Sequence, residues 1–200
     1  ETAEEVRQLG RSAEVRQMDL VEGPAAADVV DDLIGALGGL DVLVNNAAEQ
    51  HVVEDFADIE AEQIERTFRT NVYSMFFLTK AALKVMKEGA TVINTASITA
   101  YEGNPMLVDY SSTKGAIVAF TRSLSQSLAE KKIRVNAVAP GPISWSGSRQ
   151  EALQPATSRR LAAPLTALVL ALLVREAHLQ RRRSATHRAH GHDERDVACD

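Results

Sequence analysis

The sequence predicts an α/β protein built on a parallel sheet. Three observations predict it. Compact apolar runs stand at residues 40–44, 90–96 and 133–138, the pattern of strands buried on both faces. Between them lie long segments with apolar residues at helical spacing. Strand and helix thus alternate, which argues for parallel pairing through helical crossovers. In such sheets ligands sit beyond the carboxyl ends of the strands, and Asp19, Asn45, Ser97 and Pro140 all fall at predicted strand ends.

The elements follow in order. Residues 1–9 read as the end of an amphipathic helix, stopped by Gly10. Residues 13–18 are expected to form a short strand leading into Asp19 and Leu20. Pro24 opens the next helix, which carries Val29, Val30, Leu33, Ile34 and Leu37 at helical spacing and ends at Gly38 and Gly39. The strand at 40–44 runs into a tight turn, Asn45, Asn46, Ala47 and Ala48. Residues 60–86 are expected to be helical, with Ile64, Phe68, Val72, Met75, Phe76, Leu78 and Leu83 forming the apolar faces and Gly89 closing the segment. The strand at 90–96 ends at Ser97. A helix is expected within residues 105–131, and the last strand, 133–138, is followed by Pro140, Gly141 and Pro142.

Composition bounds the function. The chain has 200 residues, 45% hydrophobic and 24% charged, which suits one globular domain with a real core. The net charge of -5 gives no reason to expect nucleic acid as a partner. One cysteine, Cys199, excludes an intrachain disulfide framework and fits a reducing cytosol, so a cytoplasmic location is expected. The first ten residues are polar, without a leader pattern, and the first residue is Glu, which we read as a truncated start.

The averages hide a break near residue 148. Residues 1–148 hold all six lysines, seven arginines and twenty-one acids, a net charge of −8. Residues 149–200 hold no lysine, nine arginines and six acids, a net charge of +3, together with four of the five histidines. We therefore divide the chain into a domain, 1–148, and a divergent, low-order tail, 149–200. We read the tail as a shifted frame of a GC-rich gene, with a genuine divergent extension as the alternative; translating the coding DNA in the other two frames decides between them. His178, His187, His190 and His192 resemble a metal-binding tract by composition, but a random reading of a GC-rich frame accounts for them, and His51 has no second ligand at useful spacing, so no metal is expected. The apolar run 161–174 has fourteen residues and contains Pro164, short of the ~20 that span a membrane. Arg181, Arg182 and Arg183 read as a solvated charge run.

The residues that carry chemistry are Tyr110 and Lys114, four apart, with Ser97 thirteen positions before the tyrosine. Positions i and i+4 share one helix face, so phenol and ammonium can point into the same cleft. A cation beside a phenol favours the phenolate, and a phenol tuned in this way can exchange a proton with an alcohol or carbonyl. The serine hydroxyl can hydrogen-bond the same substrate oxygen. Such a set suits reversible carbonyl/alcohol redox chemistry.

Together with their order along the chain, these residues resemble the classical short-chain dehydrogenase/reductase family over residues 1 to about 143. Asn45-Asn46-Ala47-Ala48 resembles the family's Asn-Asn-Ala-Gly turn, with Ala48 in place of glycine. Asn71 matches its helix asparagine, Ser97, Tyr110 and Lys114 its catalytic serine and Tyr-x-x-x-Lys pair, Pro140-Gly141-Pro142-Ile143 its Pro-Gly segment, and Asp19 the acid that meets the adenine ring. The stretch 45–51 also resembles a bacterial subgroup related to glucose dehydrogenases and general-stress oxidoreductases. The resemblance implies a three-layer Rossmann-like parallel sheet with helices on both faces. It also implies NAD or NADP as cofactor, a small alcohol or carbonyl substrate, and tetramer assembly through the helices around 64–86 and 105–130. It makes Tyr110 the proton donor or acceptor, Lys114 its partner and a ligand of the nicotinamide ribose, Ser97 the holder of the substrate oxygen, and Asn71 a support of the proton path. Cofactor contacts are implied for Asp19, Leu20, Asn45, Ala47, Ala48, Tyr110, Lys114, Pro140, Gly141 and Ile143.

The Gly-rich phosphate turn, the strand end that selects NAD or NADP, and the closing strand of the family pattern do not occur in this sequence. A catalytically inactive fragment, unable to hold a cofactor tightly, is therefore the alternative reading, and weak or no cofactor binding is the expectation for this chain. Single residues also carry plainer readings. Asp19 can end a strand and begin a turn, Asn45 and Asn46 can be turn residues, Ser97 a strand-end cap, Asn71 a core amide bonded to backbone, and His51 a loop residue.

Overall fold

The computed structural model describes residues 2–141. The expectations for Pro142 and Ile143, and those for the tail with its histidines, apolar run and arginine run, lie outside the described residues. Helix α1 spans Thr2–Gln8, and Gly10 follows it with φ 72 and its N–H bonded to the Arg7 carbonyl at 2.9 Å. Helix α2 spans Gly23–Leu37 with Pro24 in its first turn. It stops where Gly38 takes φ 75, a left-handed conformation that lets its N–H reach the Ile34 carbonyl at 2.8 Å.

Three parallel strands follow, β1 (Val42–Asn45), β2 (Thr91–Thr95) and β3 (Arg134–Val138), in spatial order β1-β2-β3. Between them run α3 (Ala61–Phe68), α4 (Ser74–Ala82), the short α5 (Thr99–Glu102) and the long α6 (Val108–Ser127). Register pairs Leu43 with Val92 and Val92 with Val135. The period of two puts these three side chains on one face, where they are buried with Val30 and Ile34 of α2, Leu78 and Ala82 of α4, and Leu128 just past α6. Each fully buried aliphatic side chain of this kind contributes about 1.5–3 kcal/mol. Because the strand order advances in one direction, right-handed crossovers bring both connecting helices to the same side of the sheet.

Close packing of α2 on α4 depends on one glycine. A Cβ on Gly23 would overlap the ring of Phe77. Gly23→Ala is expected to lower stability by about 1–3 kcal/mol, the cost of overpacking a filled contact. Urea denaturation checks it; an unchanged midpoint would contradict the contact.

Three expectations need correction. Residues 13–18 are not a strand, because among the described residues no neighbouring backbone pairs with them; Leu20 nonetheless seals the core at 2% exposure. The last strand is not buried on both faces. In β3 only Val135 is buried and Val138 is 50% exposed, since among the described residues β3 has a neighbour on one edge alone, whereas β2 has one on each. The single helix expected over 60–86 is two helices joined by a π-helical turn, Arg69–Tyr73, in which the Ser74 N–H bonds back five residues to the Arg69 carbonyl. Regular helix ends at Ala82. Such single π turns recur at functional sites, and this one buries Thr70, Asn71 and Val72.

Candidate active site

The carboxyl ends of β1 and β2 open onto the first turns of α6. Tyr110 and Lys114 lie on that helix one turn apart, as their spacing requires. The Lys114 ammonium sits 5.3 Å from the centroid of the Tyr110 ring, within cation–π range. Lys114 is 2% exposed and donates a 2.7 Å hydrogen bond to the Thr95 carbonyl at the end of β2. Burial, which disfavours the charged form, lowers its pKa from 10.5 to about 8. The ammonium therefore stays charged at neutral pH yet stands close to its own titration, a property suited to passing protons.

Ser97 follows two residues after Thr95. Its Oγ accepts from the Thr99 N–H at 3.2 Å and from the Thr99 hydroxyl at 3.1 Å. A hydroxyl has two acceptor lone pairs and one donor, so this arrangement leaves Ser97 its O–H to donate. Ser97 is thus both the cap of the following turn and a donor free to hold an oxygen.

Asn71 is 2% exposed, and its amide is committed inside the protein. Oδ1 accepts from the Glu49 N–H at 2.8 Å, while Nδ2 donates to the Glu49 carbonyl at 2.9 Å and to Thr113 Oγ1 at 3.0 Å. The side chain thereby ties the turn after β1 to α6, one residue before Lys114. Its link to Lys114 runs through this framework rather than through a side-chain contact.

Asn45 likewise turns inward. Its Nδ2 donates to Thr79 Oγ1 at 3.1 Å and to Asn94 Oδ1 at 2.9 Å, and Asn94 continues the ladder to Thr121 at 2.9 Å. Its Oδ1, by contrast, is buried with no hydrogen-bond partner among the described residues. Asn46 accepts from Thr95 Oγ1 at 2.9 Å, cross-linking the two strand ends. Leu20, Asn45, Asn46, Ala47 and Thr95 line one narrow pocket there, with Asn71 beside them. Ala48 is exposed, and the one non-glycine residue with positive φ among the described residues is Lys132, so alanine is unstrained at this turn. Asp19 is exposed and accepts the Val21 N–H at 3.0 Å, the turn role. The Pro140 carbonyl accepts the Ile98 N–H at 3.0 Å, which fastens the segment after β3, with Gly141, to the Ser97 turn.

Sequence reading missed three residues of this site. Glu49 is buried and accepts from Arg66 Nε of α3 at 3.0 Å, and His51 Nε2 lies 3.8 Å from its other oxygen. Asp109 and Thr113, flanking Tyr110, are buried and hydrogen-bonded to α3 and Asn71. The signal for Asp109 and Thr113 was a polar stripe at Gln63, Thr67 and Asn71, spaced by four on the segment that faces them.

The donors present fit a nicotinamide cofactor. The buried ammonium of Lys114 has three N–H donors, and one is used by Thr95; the others suit ribose hydroxyls at a strand end. Comparison with known proteins agrees with the geometry. The family model described as short chain dehydrogenase matches residues 1–156. General stress protein 39 of Bacillus subtilis (strain 168) is 52% identical over 146 residues, 73% of this chain and 51% of that protein. Glucose and ribitol dehydrogenase of Daucus carota is 59% identical over 118 residues, 59% of this chain and 40% of that protein. The crystal structure of a short chain dehydrogenase from Burkholderia cenocepacia J2315 in complex with NADP superimposes with a TM-score of 0.67 at 31% identity, covering 70% of this chain and 57% of that one. The chain spans about half the length of the curated relatives it matches.

Proposed function

Because this chain belongs to the short-chain dehydrogenase family, we propose that it is an NAD(P)-dependent oxidoreductase interconverting a carbonyl and the corresponding alcohol. The observation that carries the reading is the buried Lys114 ammonium 5.3 Å from the Tyr110 ring at the end of β2. The nicotinamide supplies or takes the hydride when bound. Tyr110 gives its phenolic proton to the substrate oxygen in reduction and takes it back in oxidation. Lys114 sets its charge beside the Tyr110 ring and holds the ribose, and Ser97 donates its O–H to the same oxygen. Asn71 keeps the turn after β1 and helix α6 in register. Asp19, Leu20, Ala47, Ala48 and Pro140 border the cofactor.

For substrate we propose small polyols, sugars and aldehydes, following the glucose and ribitol dehydrogenase of Daucus carota and the NADPH-dependent aldehyde reductase 1, chloroplastic of Arabidopsis thaliana. We also place a self-association surface on α4 and α6. Phe76 of α4 is 51% exposed there, Tyr73 in the π turn just before it is 52% exposed, and the Phe76 ring lies tilted by 60° against Phe120 of α6 with centroids 4.5 Å apart. Among the described residues no helix is long and apolar enough to cross a membrane, and we propose a cytoplasmic enzyme.

The test is oxidation of NADH and NADPH by a panel of aldehydes, and their formation from glucose and ribitol. Turnover with at least one pair is expected. Cofactor binding without turnover across the panel, or the absence of binding, would overturn the reading in favour of an inactive chain.

A further inference from the structure

Both peptide groups of Tyr110 are held by side chains. Its N–H donates to Asp109 Oδ1 at 2.7 Å, and its carbonyl accepts from Thr113 Oγ1 at 2.6 Å. Each gripping side chain is anchored on the segment that precedes α4. Asp109 Oδ2 accepts from Gln63 Nε2 at 3.0 Å and from Thr67 Oγ1 at 3.0 Å, and Thr113 Oγ1 accepts from Asn71 Nδ2 at 3.0 Å. Gln63, Thr67 and Asn71 recur every four residues, so they form one stripe facing α6.

Asp109 is the centre of this arrangement. It is 4% exposed, and among the described residues it forms no ion pair. A carboxylate in such a position is costly unless hydrogen-bonded, and here three donors satisfy it. Removing it would leave the Gln63 amide, the Thr67 hydroxyl and the Tyr110 N–H without their acceptor. An apolar residue would fill the same volume at the start of α6, so the acid is not needed for packing.

We propose that Asp109 is a positioning residue, which fixes the Tyr110 phenol over the end of β2 by locking the first turn of α6 to α3. The inference rests on the proposed dehydrogenase reading for its functional consequence, but its geometry does not. A misplacement of the reacting group by about 1 Å can cost on the order of a hundredfold in rate. Asp109→Ala is therefore expected to lower kcat between about tenfold and about a hundredfold, with KM and cofactor affinity little changed. Thr67→Val removes one of three donors and keeps the carboxylate, so it is expected to fold and to lower kcat less. Combining Asp109→Asn with Gln63→Glu exchanges donor and acceptor across the contact and is expected to recover most of the rate lost in Asp109→Asn alone.

A readout free of turnover accompanies these variants. Fluorotyrosine incorporated at Tyr73, Tyr101 and Tyr110 gives three fluorine resonances, assigned by replacing each tyrosine with phenylalanine. In Asp109→Ala and Thr67→Val the Tyr110 resonance is expected to shift or broaden while the other two stay in place. Unchanged kcat in both variants, or equal movement of all three resonances with kcat, KM and stability falling together, would overturn the proposal. If the parent chain shows no turnover but the selective Tyr110 response remains, the dehydrogenase reading fails and the positioning role stands.

Discussion

Tyr110→Phe is expected to lower turnover by about 10² to 10⁴, the usual contribution of a positioned proton donor, while cofactor affinity is kept. The reason lies in how little the substitution changes. The ring stays 5.3 Å from the Lys114 ammonium, and the backbone stays held by Asp109 and Thr113. Only the transferable proton is lost. Pre-steady-state hydride transfer, measured beside a cofactor titration by nicotinamide fluorescence, separates the two quantities. Undiminished turnover would remove the phenol from the chemistry and with it the assignment of Ser97 and Lys114. A parallel loss of cofactor binding would instead make the phenol a binding group.

Lys114→Met is expected to act in opposite directions on activity and stability. The native lysine titrates near 8, against 10.5 when exposed. Between those values the unfolded chain binds more protons than the folded one, so stability rises with pH across that window. Below pH 8 the buried ammonium costs its full amount, about 3 kcal/mol from the size of the pKa change. That cost is relieved as pH climbs from 8 towards 10.5. Methionine removes the charge and fills a similar volume, but it gives up the hydrogen bond to the Thr95 carbonyl, worth about 1 kcal/mol. The net expectation at pH 7 is a gain of about 1–3 kcal/mol, together with loss of the stability rise between pH 8 and 10.5. Turnover is expected to fall by about 10² or more, because the phenol loses its cation. Urea unfolding at neutral and alkaline pH, beside initial rates, reads both effects. A variant less stable than the parent at pH 7 would mean that the ammonium is held by favourable contacts rather than tolerated at a cost. The exchange of stability for function is common at active sites.

Much of the candidate site was legible from local pattern. Tyr110 and Lys114 share a face because four residues make about one helical turn, and Ser97 ends a strand because an apolar run stops there. These are statements about neighbours in sequence, and the helix and the strand met them. The role of Asn71 was legible as an amide in a helix, but not its partners. Glu49 and Thr113 stand 22 and 42 residues away, and the π turn that presents the amide leaves no periodic trace. The strand expected at 13–18 failed for a related reason. An extended apolar-polar alternation is necessary for a strand but insufficient, since a ladder also needs a partner backbone.

Alone, the sequence determined the kind of protein: alternating strands and helices, a tyrosine and a lysine at one-turn spacing, a serine at a strand end, and a tail of different composition after residue 148. Periodicity and spacing carry that information because they depend on residues a few positions apart. The tertiary structure decided which groups are spent on holding the site and which are left to react. It turned Asn45 and Asn71 inward, saturated the lone pairs of Ser97, buried Lys114 until its pKa fell, and pinned Tyr110 through Asp109. Those outcomes depend on burial and on hydrogen bonds between segments far apart in the chain, and only packing brings such segments together.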